Sequence, residues 1–273
     1  FHWFPGYNDL TQKESWRILN GHSEGHSFFD KEGKGNITAF LVSYMDQYQK
    51  TRDKGYISIP MGNHDNARIN VDRTPKELAM IMAFGMTMPG LPFIWNGNEI
   101  GMRQLYDLPH VEGAYKPRAG NRTPMQWAPE KNLGFSEADP SKLYLPVDPA
   151  PDAPTVAAQE SDPDSLLNNV RRLITLKKSE PALSAYAEFV PVYAKPNGYP
   201  FVYARASGDD IVLCVFNPAE REERAEFTLN VSVKGMQLLA GDKLKYQVDG
   251  KSISMDTAPV SYAIYKLELQ EPR

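Results

Sequence analysis

Apolar residues recur at steps of three and four across residues 37–54, where Phe40, Leu41, Tyr44, Met45 and Tyr48 share one side, and this spacing predicts an amphipathic helix. Thr38 lies near its start, Lys50, Arg52 and Lys54 near its end suit the helix dipole, and Gly55 stops it. Tyr56-Ile57-Ser58-Ile59-Pro60-Met61 reads as a short buried strand that runs into the polar cluster Gly62-Asn63-His64-Asp65-Asn66. Thr74-Pro75 opens a second helix through Met80, Ile81 and Phe84, and Pro89-Gly90 breaks it. Leu91-Pro92-Phe93-Ile94-Trp95 repeats the strand pattern and ends in a second polar cluster, Asn96-Gly97-Asn98-Glu99. Helix, strand, helix, strand is the alternation of a parallel α/β unit. Both polar clusters fall at a strand's C-terminal end, where such sheets carry their chemistry.

The stretch 107–163 is rich in proline, aspartate and glycine, has little periodicity, and reads as loops long enough to be functional. A strongly amphipathic helix follows over 165–179, with Leu166, Leu167, Val170, Leu173 and Ile174 on one face and Arg171, Arg172, Lys177 and Lys178 on the other. From Tyr186 the period shortens to two. Short strands are predicted over 189–193, 201–204, 211–216, 226–229, 237–239 and 262–267, separated by turn signals such as Pro196-Asn197-Gly198 and Gly208-Asp209-Asp210. That pattern is a small antiparallel β-sandwich.

Composition narrows the classes. With 30 basic and 34 acidic residues and a net charge of −4, the chain has no electrostatic footprint for nucleic acid or an anionic membrane. No apolar run reaches the ~18 residues of a membrane span. The single cysteine, Cys214, excludes an internal disulfide framework and a cysteine-built zinc site, and fits a cytoplasm or a periplasm equally well. It lies in an alternating apolar run, which reads as core packing. A length of 273 residues fits one (β/α)8 barrel, or a medium domain followed by a small one. The start Phe1-His2-Trp3-Phe4 has neither an initiator Met nor a signal segment, and reads as the interior of a longer chain.

Two histidines four apart, His22 and His26, suggest a metal pair, but Gly21 and Gly25 disfavour the helix that would align them, so a polar loop is the better reading. Asn63-His64-Asp65 is different. A carboxylate beside an imidazole at a rigid strand end can bind sugar hydroxyls and stabilise an oxocarbenium-like transition state; on spacing alone, an Asx turn with a capping Asp fits equally well. Arg68 adds a cation that could clamp the carboxylate or a hydroxyl. Glu99 and Arg103 read as a structural ion pair.

The segment Gly62-Asn63-His64-Asp65-Asn66-Ala67-Arg68 resembles the conserved region at the end of the seventh barrel strand in the α-amylase/α-glucosidase family of glycoside hydrolases. Residues 91–102 are similar to its eighth-strand motif, G-x-P-x-x-Y-x-G-[DE]-E-I-G-M. Arg122-Thr123-Pro124-Met125-Gln126-Trp127, with Leu133-Gly134-Phe135-Ser136 after it, resembles a signature of the α-glucosidase, oligo-1,6-glucosidase and trehalose-synthase branch. The resemblance implies the C-terminal part of a (β/α)8 TIM barrel over residues 1–183, then an antiparallel β-sandwich domain over residues 184–273. It implies a retaining hydrolase of α-linked glucosides such as malto- or isomalto-oligosaccharides. The alternatives are a trehalose synthase-type transglycosylase or isomerase, and a non-catalytic carbohydrate- or protein-binding relative.

Roles follow from the same resemblance. Asp65 would be the transition-state-stabilising carboxylate, with His64, Arg68 and Asn63 binding substrate. Trp95 and Asn98 depart from the motif, where Tyr and an acidic residue are usual. The family's nucleophile, an Asp in a G-x-R-x-D context on strand four, and its acid/base Glu on strand five have no recognisable context before Asn63; Glu14 and Glu24 lack the preceding strand. The chain alone is therefore expected to be inactive, with the missing N-terminal barrel segment as its partner. No cofactor is expected in this chain, although the family's calcium sites lie in the part not represented.

Overall fold

A computed structural model describes residues 27–65, 67–114 and 118–270. The first helix, α1 (Ile37–Thr51), is capped by Asn36, whose side chain accepts from the Thr38 amide at 3.0 Å. Its buried Phe40, Tyr44 and Tyr48 stack along one face, the first two with ring centroids 4.8 Å apart. Strand β1 (Ser58–Pro60) pairs in parallel with β2 (Leu91–Phe93), and α2 (Pro75–Thr87) crosses between them. Thr74 and Glu77 form a reciprocal capping box at the start of α2, and Pro75 occupies the first turn. This helix is buried almost all round, which is why its apolar pattern is near-continuous.

The predicted loop region is mostly irregular, with short 3-10 turns and one short helix, α3 (Val156–Glu160). The next helix, α4 (Leu166–Ser179), is capped by Ser165 and packs beside α2. Eight strands follow: β3 (Glu188–Tyr193), β4 (Phe201–Ser207), β5 (Asp210–Asn217), β6 (Glu223–Thr228), β7 (Val233–Gly241), β8 (Lys245–Asp249), β9 (Ser252–Thr257) and β10 (Ser261–Leu269). They form an antiparallel five-stranded sheet in the order β3-β4-β5-β10-β7 and a three-stranded sheet in the order β6-β9-β8.

The central strands β4, β5 and β10 of the five-stranded sheet are buried on both faces. Phe201, Tyr203, Cys214, Phe216 and Ile264 point toward α1, α2 and α4, and share one cluster with Phe40, Ile81, Phe84 and Val170. The alternate residues Val202, Leu213, Val215, Ala263 and Tyr265 point the other way, against Ala225, Ile253 and Met255 of the three-stranded sheet. Cys214 is fully buried, and burial pushes its thiol up to about 12, consistent with packing rather than nucleophilic use.

Two cations, one buried and one half-buried, lie where the helices meet this sheet. Arg205 of β4 is wholly buried; its guanidinium donates to the carbonyls of Glu188 (3.1 Å), Ser184 (2.6 Å), Ala187 (3.1 Å) and Thr87. Lys177 of α4 donates to the carbonyls of Met88 (3.3 Å) and Leu183 (3.1 Å). Thr87 and Met88 end α2, so both cations meet the negative end of a helix dipole. Burial lowers both side-chain pKa values, that of Lys177 to about 8 with a further contribution from neighbouring Arg205.

Candidate functional site

The site grows out of the C-terminal ends of β1 and β2. The parallel ladder continues one bond further, from the Met61 amide to the Phe93 carbonyl at 2.8 Å, and then the chain turns. Gly62 makes the turn at φ 137°, a conformation that side chains rarely adopt. Asn63 closes an Asx turn, its side-chain oxygen accepting from the Asp65 amide at 2.7 Å. His64 and Asp65 are consequently presented to solvent side by side, with Nε2 of His64 3.4 Å from Oδ2 of Asp65.

Two arginines clamp the other oxygen of the carboxylate. Arg118 Nη1 and Arg122 Nη2 lie 3.1 and 3.2 Å from Asp65 Oδ1, and Arg122 Nε also donates to the His64 carbonyl at 2.8 Å. Both arginines come from the irregular region, on or just after a 3-10 turn spanning Arg118–Asn121. On the side of β2, the Trp95 ring lies 6.3 Å from the His64 ring and donates its indole N–H to the Asn121 carbonyl at 2.9 Å. A carboxylate with one occupied and one approachable oxygen, beside an imidazole and an aromatic wall, suits hydroxyl recognition.

Arg68 is placed differently from its three companions. The resemblance implied a substrate contact, whereas its side chain is fully buried beneath the loop and donates to the Asn96 carbonyl at 2.7 Å. Burial lowers its pKa to about 10, an effect partly opposed by nearby Glu99. The clamp on Asp65 thus comes from Arg118 and Arg122. Arg103 pairs not with Glu99 but with Asp152 at 2.8 Å and Asp148 at 3.6 Å, because the turn after β2 directs it toward the 148–152 loop. Arg122 belongs to a recognisable motif, but Arg118 and Asn121 gave no signal: they reach the site only through the path of an aperiodic loop. The His22 and His26 pair, Glu14 and Glu24 lie outside the described residues. Among the described residues no group of three or more His, Cys, Asp or Glu side chains is arranged to hold a metal, and no helix is long and apolar enough to cross a membrane.

Comparison with known proteins identifies a family. The alpha amylase catalytic domain family matches residues 22–185, and the chain belongs to that family. It falls in the branch of glycosidases and transglycosylases that includes α-glucosidases, oligo-1,6-glucosidases and trehalose synthases. It is 33% identical over 164 residues to the trehalose synthase/amylase TreS of Mycobacterium tuberculosis, covering 58% of this chain and 26% of that protein. Against the oligo-1,6-glucosidase of Parageobacillus thermoglucosidasius it is 26% identical over 271 residues, covering 85% of this chain and 46% of that protein. The fold is similar to that of isomaltulose synthase from Erwinia rhapontici NX5, with a TM-score of 0.70, 23% identity, and coverage of 88% of this chain and 48% of that one. The chain spans between about a quarter and a half of the length of these relatives.

Proposed function

We propose that this chain is the closing part of a retaining enzyme acting on α-linked glucosides, with residues 1–183 completing a (β/α)8 barrel and residues 184–273 forming its β-sandwich. The observation that carries this reading is the exposed His64–Asp65 pair at the C-terminal end of two parallel strands, its carboxylate fixed by Arg118 and Arg122. In the proposed reaction Asp65 binds ring hydroxyls and favours the distorted, positively charged transition state, while His64 contacts the same sugar. The covalent nucleophile and the proton donor come from a barrel segment other than this chain. The exposed Leu91 and Phe93 of β2 give such a segment an apolar surface to cover.

Mixing the chain with a segment that carries strands one to five of a family barrel tests this reading. Hydrolysis of a nitrophenyl α-glucoside should appear in the mixture and in neither component alone. Asp65→Ala should then lower kcat at least about a hundredfold. Undiminished activity in that variant would remove Asp65 from the mechanism. Isomerisation stands beside hydrolysis as a second reading, because proteins named trehalose synthase are among the relatives with one-third identity. Trehalose formed from maltose, followed by proton NMR, separates the two outcomes.

A further inference from the structure

Three carbonyls of the loop that carries Asp65 are each held by a side chain from another segment. The Met61 carbonyl accepts from Asn98 Nδ2 at 2.7 Å, the Asn63 carbonyl from Asn121 Nδ2 at 2.9 Å, and the His64 carbonyl from Arg122 Nε at 2.8 Å. Both asparagines are buried, at 0% and 1% exposure. Asn98 runs flush against the loop: a Cβ added to Gly62 would lie 2.8 Å from its Nδ2. Asn121 is itself fixed by the indole N–H of Trp95 on its own carbonyl. The bond to the Met61 carbonyl is buried and that to the Asn63 carbonyl is partly buried, so both carbonyls rely on these donors, and the donors fix where the loop lies.

We infer that Asn98 and Asn121 are positioning residues for Asp65 and His64, acting through the main chain that bears them; this rests on the proposed role of Asp65. Asn98 stands where the family motif carries an acidic residue. An acidic residue there has no hydrogen for the Met61 carbonyl when ionised, whereas a carboxamide of the same shape has two. The loop is therefore pinned on both sides of its left-handed glycine, from the β2 end by Asn98 and from the 3-10 turn by Asn121.

The isosteric variants Asn98→Asp and Asn121→Asp remove the donor and keep the shape. Amide exchange of residues 61–65, measured by mass spectrometry on the chain, should accelerate at least tenfold in both, while that of residues 201–217 stays within twofold. The His64 ring resonances should move in the NMR spectrum. In the complemented enzyme kcat should fall at least tenfold with KM within twofold. Ile253→Ala, a destabilised control in the distant sheet, should leave both values unchanged. Unaltered exchange at 61–65 in both aspartate variants would overturn the inference, as would accelerated exchange with unchanged kcat. If wild-type complementation itself gives no activity, the proposed function fails, and the exchange and NMR measurements still decide whether the asparagines position the loop. Should either aspartate variant not fold, Asn121→Ser and Asn98→Ser carry the same comparison.

Discussion

Replacing Arg205 with methionine removes a donor from four main-chain carbonyls at once, those of Thr87, Ser184, Ala187 and Glu188. The side chain is fully buried, so water does not easily take its place. At about 1 kcal/mol for each orphaned carbonyl, the low end of the usual range, the loss is about 4 kcal/mol. Removing a desolvated charge offsets part of that, which leaves a net destabilisation of about 2–3 kcal/mol. For a chain of this size the unfolding midpoint should fall by about 4–12 °C. Urea unfolding followed by far- and near-ultraviolet circular dichroism measures the quantity directly. Arg205→Lys keeps the charge but has three donors and no planar fork, so it should fall between wild type and Arg205→Met. A loss below about 0.5 kcal/mol for Arg205→Met would refute the reasoning and make the buried guanidinium energetically neutral.

Lys177 gives a pH test. Its folded pKa is depressed, so between about 8 and its ordinary value of 10.5 the unfolded chain binds the extra proton and stability rises with pH. Wild type should therefore gain on Lys177→Met between pH 8 and 10 in urea unfolding; a constant difference would show that Lys177 does not titrate in that window. Gly85→Ala should destabilise by about 1–3 kcal/mol despite alanine's better helix propensity, because the added Cβ would stand 2.0 Å from Met61 Sδ. A gain in the melting temperature would mean that Met61 moves aside freely.

Elements with strong local signals were readable from the chain. Ser165 and Thr74-Pro75 mark helix starts through capping chemistry, and both helices begin there. The hairpin of β8 and β9 was not predicted. Its sheet is exposed on one side, so Tyr246, Val248, Ile253 and Met255 alternate with polar residues, and Gly250 and Lys251 make the two-residue turn between the strands. The first helix ends at Thr51, short of the expected 54, where the chain leaves the core. At the site, His64 and Asp65 announce themselves because their residue types and strand-end position carry chemistry. Arg118, Asn121 and the burial of Arg68 depend on long-range packing, which no local pattern encodes.

The apolar cluster that includes Phe84 and Val170 also includes Tyr203 and Phe216, so it crosses the boundary expected at residue 183 without interruption. The five-stranded sheet is thus a party wall between two rooms. Chain order separates the helices from the strands, but the apolar cluster runs through both. A hinge requires weak contacts on one side, and this seam has aromatic rings on both. Heating or denaturant should accordingly release the helices and the five-stranded sheet in one cooperative step, and a cut made at residue 183 would expose the interior of each piece rather than free two independent folds.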